Sequence, residues 1–267
     1  MLKGDQVYVF NVFIKAVQEK AKGIYIFLDA PGGCGKTFLI ETILVKIRSE
    51  GNIAIATASS GLTATLITEG RTVHSTFKVP LDLSRSDFPM CAVKKGTSLS
   101  RLIQDYSVTI IDEAPMLHKI VYEASDRTLK DVCSSSEVMG GIPVLLCGDF
   151  RQILPVVPSG TRADIANACI KKSYHWQELT VLRLTTNMRV HMHNEQDAAS
   201  FSNLLLNVVD GRAKIVSESD NISVPELGHV SSSLNDLITK VFSDFTENIQ
   251  DSDWLSQRAI LAPLNDN

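Results

Sequence analysis

Residues 30–37 read Ala-Pro-Gly-Gly-Cys-Gly-Lys-Thr, a composition suited to holding phosphate. Gly32, Gly33 and Gly35 lack the Cβ atoms that keep backbone N–H groups away from phosphate oxygens. A helix-compatible apolar stretch begins at Phe38. Residues Cys34 to Thr37 therefore stand where a helix N-terminus offers unpaired N–H groups to an anion. Lys36 is placed to reach β- and γ-phosphates, and the Thr37 hydroxyl to hold Mg²⁺. The strict form of this loop begins with Gly where this chain has Ala30. Alanine is the smallest substitute, and the position falls at a strand end, where it is tolerated.

Further candidates follow apolar runs. Ile110-Ile-Asp-Glu-Ala-Pro115 sets two carboxylates at a strand terminus: Asp112 to hold Mg²⁺ through water, Glu113 to orient and deprotonate an attacking water. In Gly148-Asp-Phe-Arg-Gln152, Gln152 is expected to bond a γ-phosphate. Asp149 is expected to link to the metal network or to loops on a nucleic-acid side. Arg189, in Thr-Asn-Met-Arg, is a candidate to stabilise transition-state charge, typically worth ~10³–10⁵ in rate. Gln6 precedes an amphipathic pattern (Val7, Val9, Phe10, Phe13, Ile14, Val17) and carries an amide able to read an adenine edge. Two hydroxyl-rich segments, containing Ser60 and Thr63, and His74, Ser75, Phe77 and Lys78, are suited to a nucleic-acid backbone, with His74 and Phe77 as stacking candidates.

These residues need a scaffold. Ile24–Leu28, Ile53–Ala58, Val108–Ile111 and Ile142–Cys147 are continuous apolar runs, as strands buried on both faces require. Helix-like stretches at Phe38–Arg48, Ser60–Thr68 and Leu117–Cys133 alternate with them. The pattern is α/β, a parallel sheet covered by helices, with ligands at the carboxyl ends of the strands. Residues 78–102, irregular and charged between Pro80 and Gly96, read as a surface insertion whose Lys78, Arg85, Lys94, Lys95 and Arg101 supply local basicity. A polar stretch from Asp210 to Gly228 reads as a linker, Leu234–Phe245 as an amphipathic helix and Arg258–Leu264 as a further buried strand. The reading is two parts, 1–185 and 186–267.

Of the 267 residues 44% are hydrophobic and only 6% aromatic, with a net charge of −4. That supports a substantial core and few stacking surfaces. Any nucleic-acid contact must come from a local groove, because the whole chain has no basic footprint. The five cysteines show no metal-ligand spacing. A disulfide at Cys34 would obstruct the phosphate loop, which favours a reducing intracellular compartment. The sequence shows neither a signal peptide nor a membrane-spanning apolar stretch.

The segments ending at Thr37, Ala64, Lys78, Met116, Pro155 and Arg189, in this order, resemble the Pif-type DNA helicases of superfamily one and the helicases of Helitron-like transposons. Glu123-Ala-Ser-Asp-Arg-Thr-Leu-Lys-Asp131 is similar to the signature that sets this family apart. The resemblance implies a RecA-like P-loop domain (1–185) followed by the start of a second RecA-like domain (186–267). It implies ATP and Mg²⁺ as cofactors, with Gln6, Lys36, Thr37, Asp112, Glu113, Gln152 and Arg189 in the roles given above. It implies single-stranded and forked or structured DNA as partners, 5′-to-3′ translocation, and work in repair, recombination and telomere maintenance. A monomer without membrane association is expected, nuclear first and mitochondrial second. By the same resemblance the chain is expected to be truncated before the family's later motifs. The alternative is an ATP- and single-stranded-DNA-binding module that does not unwind.

Overall fold

The computed structural model describes residues 1–19, 21, 23–83, 88–188, 196–212 and 230–261. The chain divides into two units, Met1–Glu195 and Gln196–Asn267.

In the first unit the four apolar runs form β1 (Tyr25–Asp29), β2 (Ile53–Ala58), β4 (Tyr106–Asp112) and β5 (Val144–Gly148). Two shorter strands, β3 (Arg71–Thr72) and β6 (Thr180–Arg183), complete a six-stranded sheet ordered β3-β2-β4-β5-β1-β6. Every pairing is parallel. Asp29 lies opposite Gly148 and Arg183, and Ala58 opposite Thr72 and Asp112. The carboxyl ends therefore meet along one edge.

Side chains alternate across a strand, and both faces are covered. Tyr25, Phe27, Ile111 and Leu146 enter one core; Ile26, Leu28, Ile110 and Leu145 enter the other. The second is packed by α1 (Asp5–Gln18), through Val9, Phe13 and Ile14, and by α2 (Lys36–Ser49), through Leu39, Ile40, Ile43, Leu44 and Ile47. The first is closed by α6 (Lys119–Cys133), which buries Val121, Tyr122, Leu129 and Val132 and starts on His118, whose Nδ1 accepts from the Ile120 N–H at 3.2 Å. Short helices α3 (Gly61–Thr65), α4 (Val73–Phe77), α5 (Ser98–Gln104) and α7 (Arg162–Ala168) follow the strands or link them. The helix expected over Ser60–Thr68 is confined to α3, because Glu69 takes a positive φ of 59° and the chain turns back into β3.

Between Pro80 and Gly96 the described residues are mostly exposed and form neither helix nor strand, but buried residues tie the segment to the domain. Val79, Cys91 and Val93 are buried in the first core, and the segment ends in α5. The signature segment holds it. Arg127 donates from Nε and Nη2 to the Pro89 carbonyl at 3.0 and 2.8 Å, and Thr128 Oγ1 accepts from the Cys91 N–H at 2.8 Å. Buried Asp126 accepts from the Met139 N–H at 2.7 Å and pairs with Lys130 at 2.8 Å. Arg85 lies outside the described residues.

In the second unit the described residues form helices at Gln196–Val209, Leu234–Val241, Phe245–Asn248 and Ser252–Ser256. The single helix expected over Leu234–Phe245 ends at Val241, and Asp244, with a positive φ of 60°, starts the next helix at Phe245. Arg258 to Leu261 form no strand: Arg258 lies 4.1 Å over the Trp254 ring and donates to the Trp254 carbonyl, and Leu261 is exposed. Residues 262–264 of that expected strand, and nearly all of the 210–228 linker, lie outside the described residues.

Candidate nucleotide site

The loop from Ala30 to Gly35 joins β1 to α2. Ala30 is buried and donates its N–H to the Gly148 carbonyl at 3.0 Å, so the position that is usually glycine sits inside the sheet edge. Gly35 caps α2 with φ 72° and ψ 32°, a backbone that glycine adopts without penalty. A side chain there would also strike Gln6 Nε2, at 2.5 Å from its Cβ. Cys34 turns its thiol into the core towards the Leu184 carbonyl at 3.8 Å. Burial, with Asp149 and Asp5 adding to it, pushes the Cys34 pKa up, so the thiol stays neutral. Only its backbone is available to a phosphate.

Lys36 reaches across to the end of β4. Its Nζ lies 2.9 Å from Asp112 Oδ1 and also bonds Glu113 Oε1. Burial opposes the charge, but the Asp112 and Glu113 carboxylates outweigh it and raise the Lys36 pKa. Glu113 takes a left-handed backbone, φ 49° and ψ 41°, a strained geometry for a non-glycine residue. Its N–H is held by Asp112 Oδ1 at 2.9 Å. The turn behind it, Ala114–Met116, is fixed by the Tyr122 hydroxyl donating to the Ala114 carbonyl at 2.6 Å. It is also fixed by Gly148, where a Cβ would lie 2.2 Å from Pro115 Cδ.

Gly32, Gly33, Gly35, Lys36, Thr37, Glu113 and Gln152 line one cavity of about 450 Å³. Thr37 is exposed. A magnesium site built from one or two carboxylates, a hydroxyl and substrate phosphates fits this donor set. Gln152 is carried on a turn in which its N–H donates to the Asp149 carbonyl at 3.2 Å. Phe150 anchors that turn, stacked on Phe27 at 4.8 Å with Lys171 Nζ 3.9 Å from its ring. Asp149 departs from expectation. It is buried, accepts from the Arg151 N–H at 3.0 Å and faces Arg151 Nη1 at 3.7 Å, so it folds its own turn.

Gln6 is buried, and its amide is engaged: Nε2 donates to the Cys34 carbonyl at 2.9 Å, and Oε1 accepts from the Lys3 N–H at 3.2 Å. It braces the phosphate loop from behind. Its neighbour Asp5, which sequence reasoning missed, accepts from the Thr185 N–H at 2.8 Å and hydroxyl at 2.6 Å. Those bonds lower the Asp5 pKa. Asp5 thereby holds the segment after β6, which brings Asn187 beside Gly33 and Met188 into the cavity wall. A hydroxyl pair directly before Asn-Met-Arg was the available signal. Arg189 lies outside the described residues.

The nucleic-acid candidates lie beyond the ends of β2 and β3. Ser60 caps α3, accepting from the Thr63 N–H at 3.2 Å, and bonds the Thr63 hydroxyl at 2.9 Å. Ser75 and Lys78 are exposed and His74 is half-buried, which lowers its imidazole pKa. Phe77 is a correction: at 3% exposure it is part of the core and presents no face to a base. Sequence reasoning missed Leu62 and Leu66, both exposed on or beside α3. Lys94, Lys95 and Arg101 are exposed, with Lys95 donating to the Ser134 hydroxyl at 2.7 Å.

The PIF1-like helicase family model matches residues 1–219. The chain is 32% identical over 140 residues to the ATP-dependent DNA helicase PIF1 of Trypanosoma brucei brucei, covering 52% of this chain and 14% of that one. A Bacteroides Pif1 bound to single-stranded DNA aligns with a TM-score of 0.63 at 22% identity, over 88% of this chain and 52% of that one. A structure of two coordinating Pif1 helicases at forked double-stranded DNA aligns with a TM-score of 0.65 at 23% identity, over 80% of this chain and 49% of that one. The chain thus spans at most about half the length of these relatives. A match over residues 1–219, with a RecA-like sheet carrying Lys36, Asp112 and Glu113 on one edge, identifies the chain as a member of the PIF1-like helicase family.

Proposed function

We propose that this chain binds and hydrolyses ATP with Mg²⁺ and serves as the first motor domain of a 5′-to-3′ DNA helicase acting on single-stranded and forked or structured DNA. The observation that carries this is Lys36 gathered with Asp112 and Glu113 at the mouth of the glycine loop. On this reading Lys36 leaves the carboxylates for the β- and γ-phosphates when nucleotide enters. Asp112 and the Thr37 hydroxyl hold the magnesium ion, which when bound neutralises charge developing on the phosphates. Glu113, freed from Lys36, orients the attacking water and accepts its proton. Gln152 bonds the γ-phosphate from the facing turn. Gln6 keeps the loop shaped from behind through Nε2 and offers the second lone pair of Oε1 to the adenine amino group, and Arg189 supplies positive charge to the transition state. Ser60, Thr63, His74, Ser75 and Lys78 contact the DNA backbone; members of the family bound to single-stranded DNA support that reading.

The polar stretch and helices after residue 186 belong, on this reading, to the start of a second RecA-like domain. The relative described as two coordinating helicases makes a monomer the weaker reading of assembly. All five cysteines are free, in keeping with an intracellular, nuclear setting.

The test is ATP turnover by the 267-residue chain with and without oligothymidylate. We expect stimulation by DNA, and at least 100-fold lower turnover in Glu113→Gln with nucleotide binding retained. Turnover unchanged by Glu113→Gln, or by Lys36→Ala, refutes the assignment.

A further inference from the structure

A second cavity, about 650 Å³ and larger than the one over the phosphate loop, lies along the outer edge of the sheet. Its floor is Ile53 to Ala56. β3 is the edge strand, but it pairs only with Thr57 and Ala58. Among the described residues, nothing in the sheet covers Ile53–Ala56 on that side. Four residues of open edge span about 13 Å, enough for a short added strand in line with β3.

An open edge presents peptide groups that seek partners. The chain guards one of them: Arg48 donates from Nε and Nη2 to the Ala54 carbonyl at 3.3 and 3.1 Å. The rest of the groove has features that such protection does not need. Thr76 lines it at 7% exposure, and its hydroxyl has no hydrogen-bond partner among the described residues. Arg71, also in the wall and exposed, makes no ion pair among the described residues, whereas Arg48 is balanced by Glu69 at 3.4 Å. Half-buried Ile53 and Ile55, with exposed Leu102, add an apolar surface.

We propose that this groove takes an extended acidic peptide segment of a partner protein, which adds as a strand beside Ile53–Ala56. A carboxylate of the segment faces Arg71. Main-chain bonds give such a strand its affinity, and side-chain pockets give it selectivity. Peptide chemistry fits better than nucleic acid: a strand edge needs donors as well as acceptors, and phosphates offer only acceptors.

The test uses the isotope-labelled 267-residue chain and an acetylated five-residue peptide alternating valine and glutamate. Amide shifts at Ile53–Ala56 are expected. Affinity, read by fluorescence anisotropy, should fall at least fivefold for Arg71→Glu. It should fall as much for a peptide N-methylated on alternate amides, and for one with lysine in place of glutamate. Shifts elsewhere or none, or affinity unchanged by Arg71→Glu or by N-methylation, overturn the proposal. Displacement of the peptide by oligothymidylate overturns it in favour of a nucleic-acid groove. A concentration-dependent dimer abolished by Arg71→Glu overturns it in favour of a second copy of the chain.

Discussion

Replacing Lys36 with methionine isolates the electrostatics of the nucleotide site from its chemistry. Methionine keeps the apolar stem and removes the ammonium. The Lys36, Asp112 and Glu113 side chains are 12%, 4% and 18% exposed, so the variant leaves two nearly buried carboxylates facing each other. Breaking a buried ion pair by removing one partner costs about 3–5 kcal/mol. The low end applies here, because Glu113 can turn towards solvent and Asp112 Oδ1 still holds the Glu113 N–H. For a unit of this size about 3 kcal/mol corresponds to a fall in Tm of roughly 6–12 °C. The pH dependence has a definite sign. The Lys36 pKa is raised in the folded chain. Its contribution is therefore complete below the unfolded lysine value of about 10.4 and is lost as pH rises through the folded one. Thermal unfolding followed by circular dichroism, without nucleotide or magnesium, should show a constant gap between wild type and Lys36→Met from pH 6 to 9. The gap should close at more alkaline pH. A Tm difference below about 2 °C at pH 7, or one that persists unchanged at pH 12, refutes the reasoning.

Two further outcomes follow from burial. Phe77→Ala should cost about 3–5 kcal/mol in chemical denaturation, as core phenylalanines do, while the folded protein keeps its affinity for oligothymidylate within twofold; a selective loss of DNA affinity would return Phe77 to a stacking role. His175 is fully buried, and burial lowers its imidazole pKa although Asp126, at 3.6 Å, and Glu178, at 3.5 Å, pull the other way. The unfolded chain then takes up a proton that the folded one refuses, so stability should fall as pH drops below about 6.5; denaturation midpoints of His175→Phe at pH 8, 6.5 and 5 should show a flatter acid limb, and an unchanged limb would remove His175 as its cause.

What the sequence made legible follows from period and length. β2 occupies the expected Ile53–Ala58, and the ends of the other three strands lie one or two residues from those expected, because continuous apolar runs in a doubly covered sheet have few other places to go. β3 was invisible: two residues, Arg71 and Thr72, carry no periodicity, and the strand exists only because α3 ends at a turn and returns the chain to the edge. The anchoring of residues 78–102 was not legible because polar composition hid three buried residues, Val79, Cys91 and Val93, and because the side chains that hold the segment, Arg127 and Thr128, lie more than thirty positions away. Phe77 failed for a related reason. A phenylalanine beside hydroxyls reads as a stacking platform until the helix that carries it turns inward. The glycine loop and the Asp112–Glu113 pair were legible because their chemistry is local, whereas the bracing of that loop by Gln6 and the hold of Asp5 on Thr185 depend on α1 meeting residues 28 and 180 positions distant.

The proposed nucleotide and DNA contacts do not sit on separate parts of the domain. The Ser59 N–H, at the end of β2, donates to the Asp112 carbonyl at 3.1 Å, and the Ser59 hydroxyl bonds Met116 Sδ at 3.6 Å. The next residue, Ser60, caps α3. The strained Glu113 backbone lies between those two anchors. Any shift of Asp112 and Glu113 that accompanies the release of Lys36 therefore acts on the start of α3 through two hydrogen bonds rather than through the whole core. Coupling of this kind requires an element with two arrangements that both sites bias. Glu113, paired with Lys36 here and freed from it on the proposed reading, is such an element. The parallel sheet explains why the route is short: it delivers every strand to the same edge, so the loops after β2 and β4 are neighbours in register before any ligand arrives.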